Sequence, residues 1–316
     1  MVDTTDTFVI FTDQAHANKI QKLSAKFEVI PVNIKHYSFA EQFVFPFVLR
    51  KAKLDLVHFP HFNAPIFSRI PAVVTIHDLI LSFYPGRSIG SSLKRRAYEF
   101  TLRSITKRAQ KIITVSNYTK KDLTTLLDLS EDNIEAVHLG VDPAFYDRTS
   151  DESIENVRKK FNITGEYLMT LGLHREHKNL PRLVRAFARV VAMGYEGQLV
   201  LVGKEDMRSH EVRDSIISLG LRNKVILTGF VDDADIAPLL QRASLYIMPS
   251  LYEGFGLPIL EAMAGQVPVA VAKATSLPEV AGEAAEYFHP LREDEIAETL
   301  YRIASDKKLQ ADLIAR

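Results

Sequence analysis

Residues 249–261 read Pro249-Ser-Leu-Tyr-Glu253-Gly-Phe-Gly-Leu-Pro258-Ile-Leu-Glu261. The short apolar run before them, Ser244–Met248, is typical of a buried strand. Leu257 and Pro258 then open a segment with helical spacing of apolar residues. Proline suits a first helical turn because its missing N–H would be unsatisfied there anyway. The pattern therefore predicts a strand, a glycine turn and a helix N-terminus in succession.

Such a junction has the properties of an anion site. A helix N-terminus offers free backbone N–H groups and the positive end of the helix dipole. Gly254 and Gly256 let a phosphate approach the backbone without interference from a Cβ atom. Glu253 lies before this site, and Glu261 lies in the first helical turns. We therefore expect the junction to bind a phosphate ester that also carries hydroxyl groups.

Length and composition indicate a soluble globular protein. The 316 residues give room for two domains, and the content of 47% hydrophobic and 25% charged residues is ordinary. The sequence contains no cysteine, which excludes disulfides and thiolate zinc sites. No apolar run is long enough to span a bilayer, and the N-terminus lacks the pattern of a signal peptide, so we expect a cytoplasmic protein.

Apolar runs alternate with helical patterns along the whole chain, which predicts α/β architecture with parallel sheets. The boundary between domains 1–145 and 146–316 is expected near Val141-Asp-Pro143. The predicted strands are Phe8–Thr12, Leu56–Phe59, Val73–His77, Lys111–Val115, Ile134–Val137, Tyr167–Leu171, Leu199–Val202, Val225–Thr228, Leu245–Met248 and Val267–Val271. The main predicted helices are Asp151–Phe161, Asn179–Met193, Ser209–Ser218 and Ala234–Arg242.

Two glutamates separated by seven residues, around a Gly-Phe-Gly-Leu-Pro core, are the signature of a known family. With Val225–Val231, Ala243–Ser250 and Ser276–Gly282 beside it, the motif resembles the retaining glycosyltransferases of family four, and the resemblance covers nearly all of residues 165–290. It implies the GT-B fold, in which two Rossmann-like domains face each other across a cleft. It also implies transfer of a hexose from a nucleotide sugar with retention of anomeric configuration.

The first half departs from the family pattern. Only Gly86, Gly90 and Gly140 occur in the first 150 residues, against eleven glycines afterwards. Members of the family usually begin with an extra strand and a glycine-rich loop, and commonly end with an aromatic-containing helix, none of which we find. We therefore expect a shortened member with a reduced N-terminal domain.

Gly172-Leu-His-Arg-Glu-His-Lys-Asn179 follows a predicted strand and opens a helix. Cations are useful there because charge develops on the diphosphate leaving group as the glycosidic bond breaks. Lys178 matches the lysine of the family motif. Leu173 stands where the family has an arginine or a small residue, and we expect Arg175 to compensate for it.

The resemblance also assigns the other donor contacts. Glu253 would orient the hydroxyls of the donor sugar without acting as a nucleophile, and Glu261 would meet the ribose hydroxyls; both roles suit ionised carboxylates, which only accept hydrogen bonds. The remaining donor-binding positions are Gly203, Lys204, Phe230, Val231, Gly254, Phe255, Gly256 and Leu257.

The acceptor side is expected in the first half of the chain. The family places a His-Asp pair, here His77 and Asp78, at a strand end near the reacting sugar, so the expected catalytic residues are His77, Lys178 and Glu253. Ser116 is expected first as a helix N-cap and second as a cleft contact. His58 is expected to line the cleft.

The resemblance implies a metal-independent hexosyltransferase, with no cofactor other than a donor such as GDP-mannose or UDP-glucose and with a carbohydrate or lipid-linked acceptor. We find neither an Asp-x-Asp at a strand end nor a histidine pair with zinc-ligand spacing. The alternative is a non-catalytic or hydrolysis-only sugar-nucleotide-binding protein of the same fold. A nucleotide-sugar epimerase is a further rival, whereas a dinucleotide dehydrogenase is disfavoured because no Gly-x-Gly-x-x-Gly follows a strand.

Two features concern other partners. The segment 94–111 carries seven cations and one acid, and its apolar residues Tyr98, Leu102 and Ile105 have helical spacing; most such helices have a solvated face, and contact with anionic lipid is the second reading. Phe43–Val48 is expected to pack into the first core. The sheet edge where the family's opening strand is lacking would be unpaired, which predicts self-association.

The zero net charge gives no sign of nucleic-acid binding.

Overall fold

The structure is a computed structural model that describes residues 5–86, 90–205 and 210–316. The strands in these ranges are β1 (Phe8–Thr12), β2 (Phe27–Pro31), β3 (Val57–Phe59), β4 (Ala72–Ile76), β5 (Lys111–Thr114), β6 (Ile134–Ala136), β7 (Tyr167–Leu171), β8 (Gln198–Val202), β9 (Val225–Gly229), β10 (Leu245–Met248), β11 (Val269–Ala272) and β12 (Ala285–Phe288).

Helices alternate with these strands. They are α1 (Gln14–Gln21), α2 (Phe39–Phe43), α3 (Phe45–Lys51), α4 (Ile80–Phe83), α5 (Ser92–Arg108), α6 (Asn117–Leu127), α7 (Asp151–Lys160), α8 (Leu180–Ala192), α9 (Glu211–Ser218), α10 (Asp233–Arg242), α11 (Leu257–Ala264), α12 (Leu277–Ala281), α13 (Glu293–Ser305) and α14 (Lys307–Ala315). Short 3₁₀ turns occupy Glu131–Asn133, Pro143–Phe145 and Glu176–Lys178.

The chain folds into two compact units. The first contains the residues up to Ile76, with Ser91–Ile113 and Leu127–Glu135. The second contains His77–Gly90, Thr114–Leu126 and Ala136–Arg316. The boundary between residues 145 and 146 stays a prediction.

The second unit is built around a six-stranded parallel sheet with the order β12-β11-β10-β7-β8-β9. Strands β10 and β11 are buried along their whole length, as expected where helices cover both faces of a parallel sheet. Leu168 of β7 lies opposite Leu245 of β10. The strand order reverses between these two strands, which is the point where open α/β sheets bind ligands.

Helix α8 shows how the sequence covers this sheet. Its buried residues recur at positions i, i+3, i+4 and i+7, from Leu180 through Leu183 and Val184 to Phe187, which places them on one helical face. On its other side Arg185 donates from Nε to Glu293 of α13 at 2.6 Å. The long apolar stripe therefore packs into the core while arginine meets the neighbouring helix.

The first unit contains two sheets. Strands β1 and β2 pair in parallel, and β3-β4-β5-β6 form a four-stranded sheet. Helix α5 buries Tyr98, Leu102 and Ile105, which confirms the helical spacing inferred from the sequence. Tyr98 packs edge-on against Phe62, with 5.2 Å between the ring centroids.

The structure corrects one packing expectation. Phe43 and Phe47 are not core residues, because their exposed fractions are 54% and 64%. The segment forms α2 and α3, with a joint at Val44, and the side chains that it buries are Glu41 and Leu49. Phe43 and Phe47 lie on the solvent-exposed side of these two helices.

The structure bears out most predicted element boundaries to within one or two residues. Strands β2 and β12 were not predicted. The helix expected at residues 209–218 begins at Glu211, and Ser209 lies outside the described residues. Within the described ranges, every helix is too short or too polar to cross a bilayer.

Candidate functional site

The loops that follow β7 and β10 meet at the reversal of the strand order. Buried Asn179 joins them, because its Nδ2 donates to the backbone oxygens of Pro249, at 3.1 Å, and of Pro290, at 2.7 Å. The amide of Leu251 donates to the oxygen of His177 at 2.7 Å. These bonds hold the two loops in a fixed position relative to each other.

Lys178 and Glu253 form an ion pair at this junction. Lys178 Nζ lies 2.7 Å from Glu253 Oε1, and the side chains are only 18% and 11% exposed. Lys178 ends the 3₁₀ turn after β7, whereas Glu253 lies in the loop after β10. The structure thus brings together two of the three residues expected to be catalytic.

Hydroxyl groups hold the turn at Gly254–Gly256 by its carbonyl oxygens. Ser276 Oγ donates to the oxygens of Glu253, at 3.0 Å, and Phe255, at 2.9 Å. Ser116 Oγ donates to the oxygen of Gly254 at 2.7 Å. The bonded oxygens belong to three consecutive residues, so this turn has little freedom to move.

The two glycines of the turn meet different requirements. Gly256 has φ of +107° and caps the N-terminus of α11, a conformation that side chains with Cβ rarely adopt. At Gly254 the restriction is space, because a Cβ atom would overlap the backbone oxygen of His77 and lie 2.8 Å from Cβ of Asp78. The backbone of His77 and Asp78 therefore packs directly against the turn.

Glu261 lies on α11 and is half-buried. Burial, and secondarily the charge of Asp142, raises the pKa of its carboxyl group. Burial first, and then the charges of Glu253 and Glu261, raises the pKa of Tyr246, a fully buried residue of β10. Both glutamates of the motif thus lie within electrostatic reach of one strand.

The other expected donor-side residues lie on loops after β7, β8 and β9. Arg175 is exposed. Burial lowers the pKa of His177, and the charges of Lys178 and then Arg175 lower it further. Lys204 Nζ lies 4.9 Å from the centre of the Phe230 ring, which is 64% exposed. Val231 is buried in the core, so a ligand there would meet its backbone.

Gly203 stands at the end of β8, where its amide donates to the oxygen of Gly229 at 3.1 Å. Leu257 opens α11 and is half-buried. Phe255 is 6% exposed, with the ring of His138 at 5.6 Å.

The expected acceptor-side residues divide between the two units. His77, Asp78 and Ser116 belong to the second unit. Ser116 Oγ accepts from the amide of Thr119 at 3.0 Å, in the geometry of a helix cap, in addition to its bond with Gly254. His58 belongs to the first unit, where its Nε2 lies 2.8 Å from Thr75 Oγ1. Their roles toward an acceptor stay predictions.

An aromatic cluster beside the ion pair was not foreseen. Tyr252 is 5% exposed, and its hydroxyl donates to Asp122 Oδ2 at 2.7 Å. The rings of Phe83, Tyr84 and Tyr118 lie 5.1, 6.3 and 6.4 Å from that of Tyr252. The only signal in the sequence was the position of Tyr252 next to Glu253.

Glu279 forms a second unforeseen contact. Its carboxylate accepts from the amides of Asn117 and Tyr118 at 2.7 and 3.0 Å, at the N-terminus of α6, and lies 2.7 Å from His138 Nε2. Burial raises the pKa of the Glu279 carboxyl group, but these hydrogen bonds together lower it by more, so the net shift is downward. This carboxylate ties α12 to α6.

No cluster of three or more histidine, aspartate or glutamate side chains suited to a metal ion occurs among the described residues. Metal independence stays a prediction.

Comparison with known sequences decides the family. Residues 153–316 match the family described as glycosyl transferases group 1, and residues 11–145 match glycosyltransferase family 4. The chain belongs to the group 1 glycosyl transferases. Its resemblance to family four, which was drawn from the Glu253–Glu261 motif, is thereby confirmed, whereas retention of configuration and the shortening of the chain stay predictions.

Curated relatives of this group 1 member include enzymes of polysaccharide synthesis. O-antigen chain mannosyltransferase B of Escherichia coli is 30% identical over 85% of this chain and 70% of its own length. An uncharacterized glycosyltransferase of Methanocaldococcus jannaschii is 29% identical over 79% of this chain and 64% of its own length. The chain thus spans about two thirds of the length of these two relatives.

Solved structures show the same fold. HepE of Anabaena, crystallised with UDP and glucose, superposes with a TM-score of 0.75 at 20% identity, covering 97% of this chain and 84% of HepE. WaaG, a glycosyltransferase of lipopolysaccharide biosynthesis, superposes with a TM-score of 0.72 at 17% identity, covering 98% and 92%. The predicted GT-B class with two Rossmann-like halves is confirmed.

Proposed function

We propose that this group 1 member is a retaining, metal-independent hexosyltransferase whose donor is a nucleotide sugar. The observation that carries the proposal is the mostly buried ion pair of Lys178 and Glu253 at the reversal of the strand order. A buried pair is weak evidence for stability alone, since its desolvation offsets much of its attraction. A lysine and a carboxylate beside a glycine turn and a helix N-terminus suit a ligand that carries both phosphate and hydroxyl groups.

The pair is the resting arrangement of the site in this proposal. A bound diphosphate takes the Lys178 ammonium as its counter-ion, and Glu253 is then free to accept from hydroxyls of the sugar. Glu261 accepts from the ribose hydroxyls. Arg175 adds positive charge, while Lys204, Phe230 and the backbone of Val231 meet the base.

In the reaction, the bond between the anomeric carbon and the diphosphate oxygen breaks while the acceptor oxygen bonds to the same face of that carbon. The acceptor proton passes to the departing diphosphate oxygen. Lys178 stabilises the charge that develops on this oxygen. Glu253 and His77 orient the sugar, and neither forms a covalent bond with it.

Several of the curated relatives support mannose as the hexose, because mannosyltransferase is part of their names. GDP-mannose is therefore the first donor to test, followed by UDP-glucose. The acceptor in this proposal is a carbohydrate or a lipid-linked carbohydrate, and the enzyme works in the cytoplasm. Self-association stays a prediction.

The test combines donor binding with product analysis. Lys178→Met removes a charge-assisted hydrogen bond to phosphate, so calorimetry should show about 10- to 150-fold weaker donor binding. Glu261→Gln should weaken binding less. Lys308→Met and Glu298→Gln, exposed residues of α14 and α13, are matched controls that should leave the affinity unchanged.

Lys178→Met also leaves Glu253 buried without its partner, so the double variant Lys178→Met/Glu253→Gln separates stability from binding. It should recover the melting temperature but not the affinity for the donor. Mass spectrometry and NMR of products should show an α-linked hexose from an α-linked donor, with activity unchanged by EDTA. Donor binding without transfer to any acceptor would instead support the non-catalytic or hydrolysis-only alternative.

Peripheral contact with anionic lipid is part of the proposal. Phe43 stacks with Phe39 and Phe67, at centroid distances of 6.4 and 5.1 Å, and all three rings are more than half exposed, as is that of Phe47. Arg50, Lys51 and Arg69 lie close to these rings along the chain. An exposed aromatic surface with neighbouring cations is typical of proteins that bind a membrane surface.

Co-sedimentation with vesicles tests this contact. The protein should bind vesicles that contain phosphatidylglycerol and not vesicles of phosphatidylcholine alone, and Phe43→Ser/Phe47→Ser should abolish binding. Vesicle binding that does not depend on the two phenylalanines would contradict the lipid contact. So would a wild-type dimer that becomes a monomer in the double variant.

A further inference from the structure

The aromatic cluster around Tyr252 contains one residue that is nearly half exposed to solvent. Phe83, the last residue of α4, is 47% exposed, and its ring lies on that of Tyr252 with 5.1 Å between centroids and 32° between planes. Scattered exposed phenylalanines need no explanation. Phe83 differs from them because its ring packs against a residue of the loop that carries Glu253 of the ion pair.

Each side of the cluster is fixed to a loop that carries one member of the ion pair. Tyr252 directly precedes Glu253. The ring of Tyr84 lies 6.1 Å from that of His177, which directly precedes Lys178. The cluster therefore stands beside the proposed site of transfer.

Short-range contacts hold Phe83 in this place. Asp78 Oδ1 accepts from the amide of Ile80, the first residue of α4, at 2.9 Å. The preceding backbone of His77 and Asp78 packs on Gly254. Beneath Phe83, the bond from the Tyr252 hydroxyl to Asp122 keeps the supporting ring from turning.

Phe83 comes from a different part of the chain than the donor-side residues. Those follow β7, β8, β9 and β10 of the six-stranded sheet, where α/β proteins collect nucleotides. Phe83 instead follows β4. Phe83 is thus not among the proposed nucleotide contacts, and it follows the same strand as His77 and Asp78, the residues expected on the acceptor side.

Sugar rings have the right chemistry for such a surface. One face of a pyranose presents several C–H groups, which pack on the negative face of an aromatic ring, while its hydroxyls point outward to polar partners. We infer that Phe83 is a stacking platform for the sugar ring of the acceptor. This inference rests on the proposed function, because it names a substrate contact of the same reaction.

The experiment uses methyl α-glycosides of mannose, glucose, galactose and N-acetylglucosamine as acceptor probes, with GDP and UDP as donor-side ligands. Saturation-transfer NMR on the full chain should show contacts to ring C–H protons of at least one probe. Phe83→Ala should weaken these signals clearly at equal probe concentration and raise the acceptor KM about 3- to 10-fold, the range expected for one aromatic stack. Phe83→Trp should restore both.

Phe100→Ala is the matched control, because Phe100 is 62% exposed but lies on α5 in the first unit. The kcat at saturating acceptor and the affinity for donor should stay within twofold in all three variants. Equal acceptor signals in the wild type and Phe83→Ala, or no signal from any probe, would overturn the inference. If the wild type binds neither GDP nor UDP, the proposed function itself is overturned.

Discussion

Replacement of Gly254 by alanine should disable the site through backbone displacement alone. The added Cβ would lie 2.8 Å from Cβ of Asp78 and overlap the oxygen of His77. Carbon atoms make contact at roughly 3.5–4.0 Å, so the turn or the His77 segment must move by about 1 Å. Neither obstacle is the end of a flexible side chain, and the hydrogen bond from Ser116 to the Gly254 oxygen opposes the shift.

Such overpacking costs about 1–3 kcal/mol of the free energy of unfolding. For a unit of about 200 residues this lowers the melting temperature by roughly 2–12 °C. A displacement of about 1 Å at a reacting centre reduces the rate by about 100-fold. Calorimetry and single-turnover transfer at saturating donor measure the two effects.

Gly165→Ala is the matched control, because a Cβ atom there meets nothing within 4 Å, and it should leave stability and rate nearly unchanged. Wild-type stability and rate for Gly254→Ala would refute the close approach of His77 to the turn. A lower melting temperature with an unchanged rate would refute the role of the turn in transfer.

Three further predictions concern titration and buried polar groups. Burial lowers the pKa of His177 from 6.5 to about 4. The stability that it contributes is therefore complete above pH 6.5 and is lost as the pH falls to about 4, by at most about 3 kcal/mol; unfolding at each pH should show a smaller loss for His177→Gln. The raised pKa of Glu261 means that donor affinity should decline with falling pH before an ordinary glutamate protonates. Calorimetry across pH should show this midpoint move to lower pH in Asp142→Asn, and an unmoved midpoint would contradict the coupling. Asp122→Ala leaves the Tyr252 hydroxyl unpaired and should cost about 1–3 kcal/mol in urea denaturation, whereas Asp122→Asn, which keeps an acceptor, should cost less.

The sequence was most informative where local pattern and tertiary role coincide. The apolar runs of β7, β10 and β11 are buried strands of a parallel sheet, so their composition alone predicted them. Lys178 and Glu253 were predicted from separate motifs. Their contact could be expected because β7 and β10 are neighbours when the sheet has the order that this family resemblance implies.

Other features depended on contacts between distant segments. Strand β2, Phe27-Glu-Val-Ile-Pro31, is short and pairs with β1 in a two-stranded sheet, so its pattern is weak. The aromatic cluster joins residues 83, 84, 118 and 252, and no local periodicity connects them. Phe43 and Phe47 were misassigned because apolarity does not show which face of a short helix meets the core; there the buried side chain is Glu41, which accepts hydrogen bonds from Tyr37 and Asn63.

The most direct test of the central claim is a crystal structure with GDP-mannose or UDP-glucose bound. We expect the diphosphate within hydrogen-bonding distance of Lys178 Nζ, the sugar hydroxyls on Glu253 and the ribose on Glu261. A nucleotide bound elsewhere, or a bound diphosphate with the bond between Lys178 and Glu253 still intact, would contradict the account.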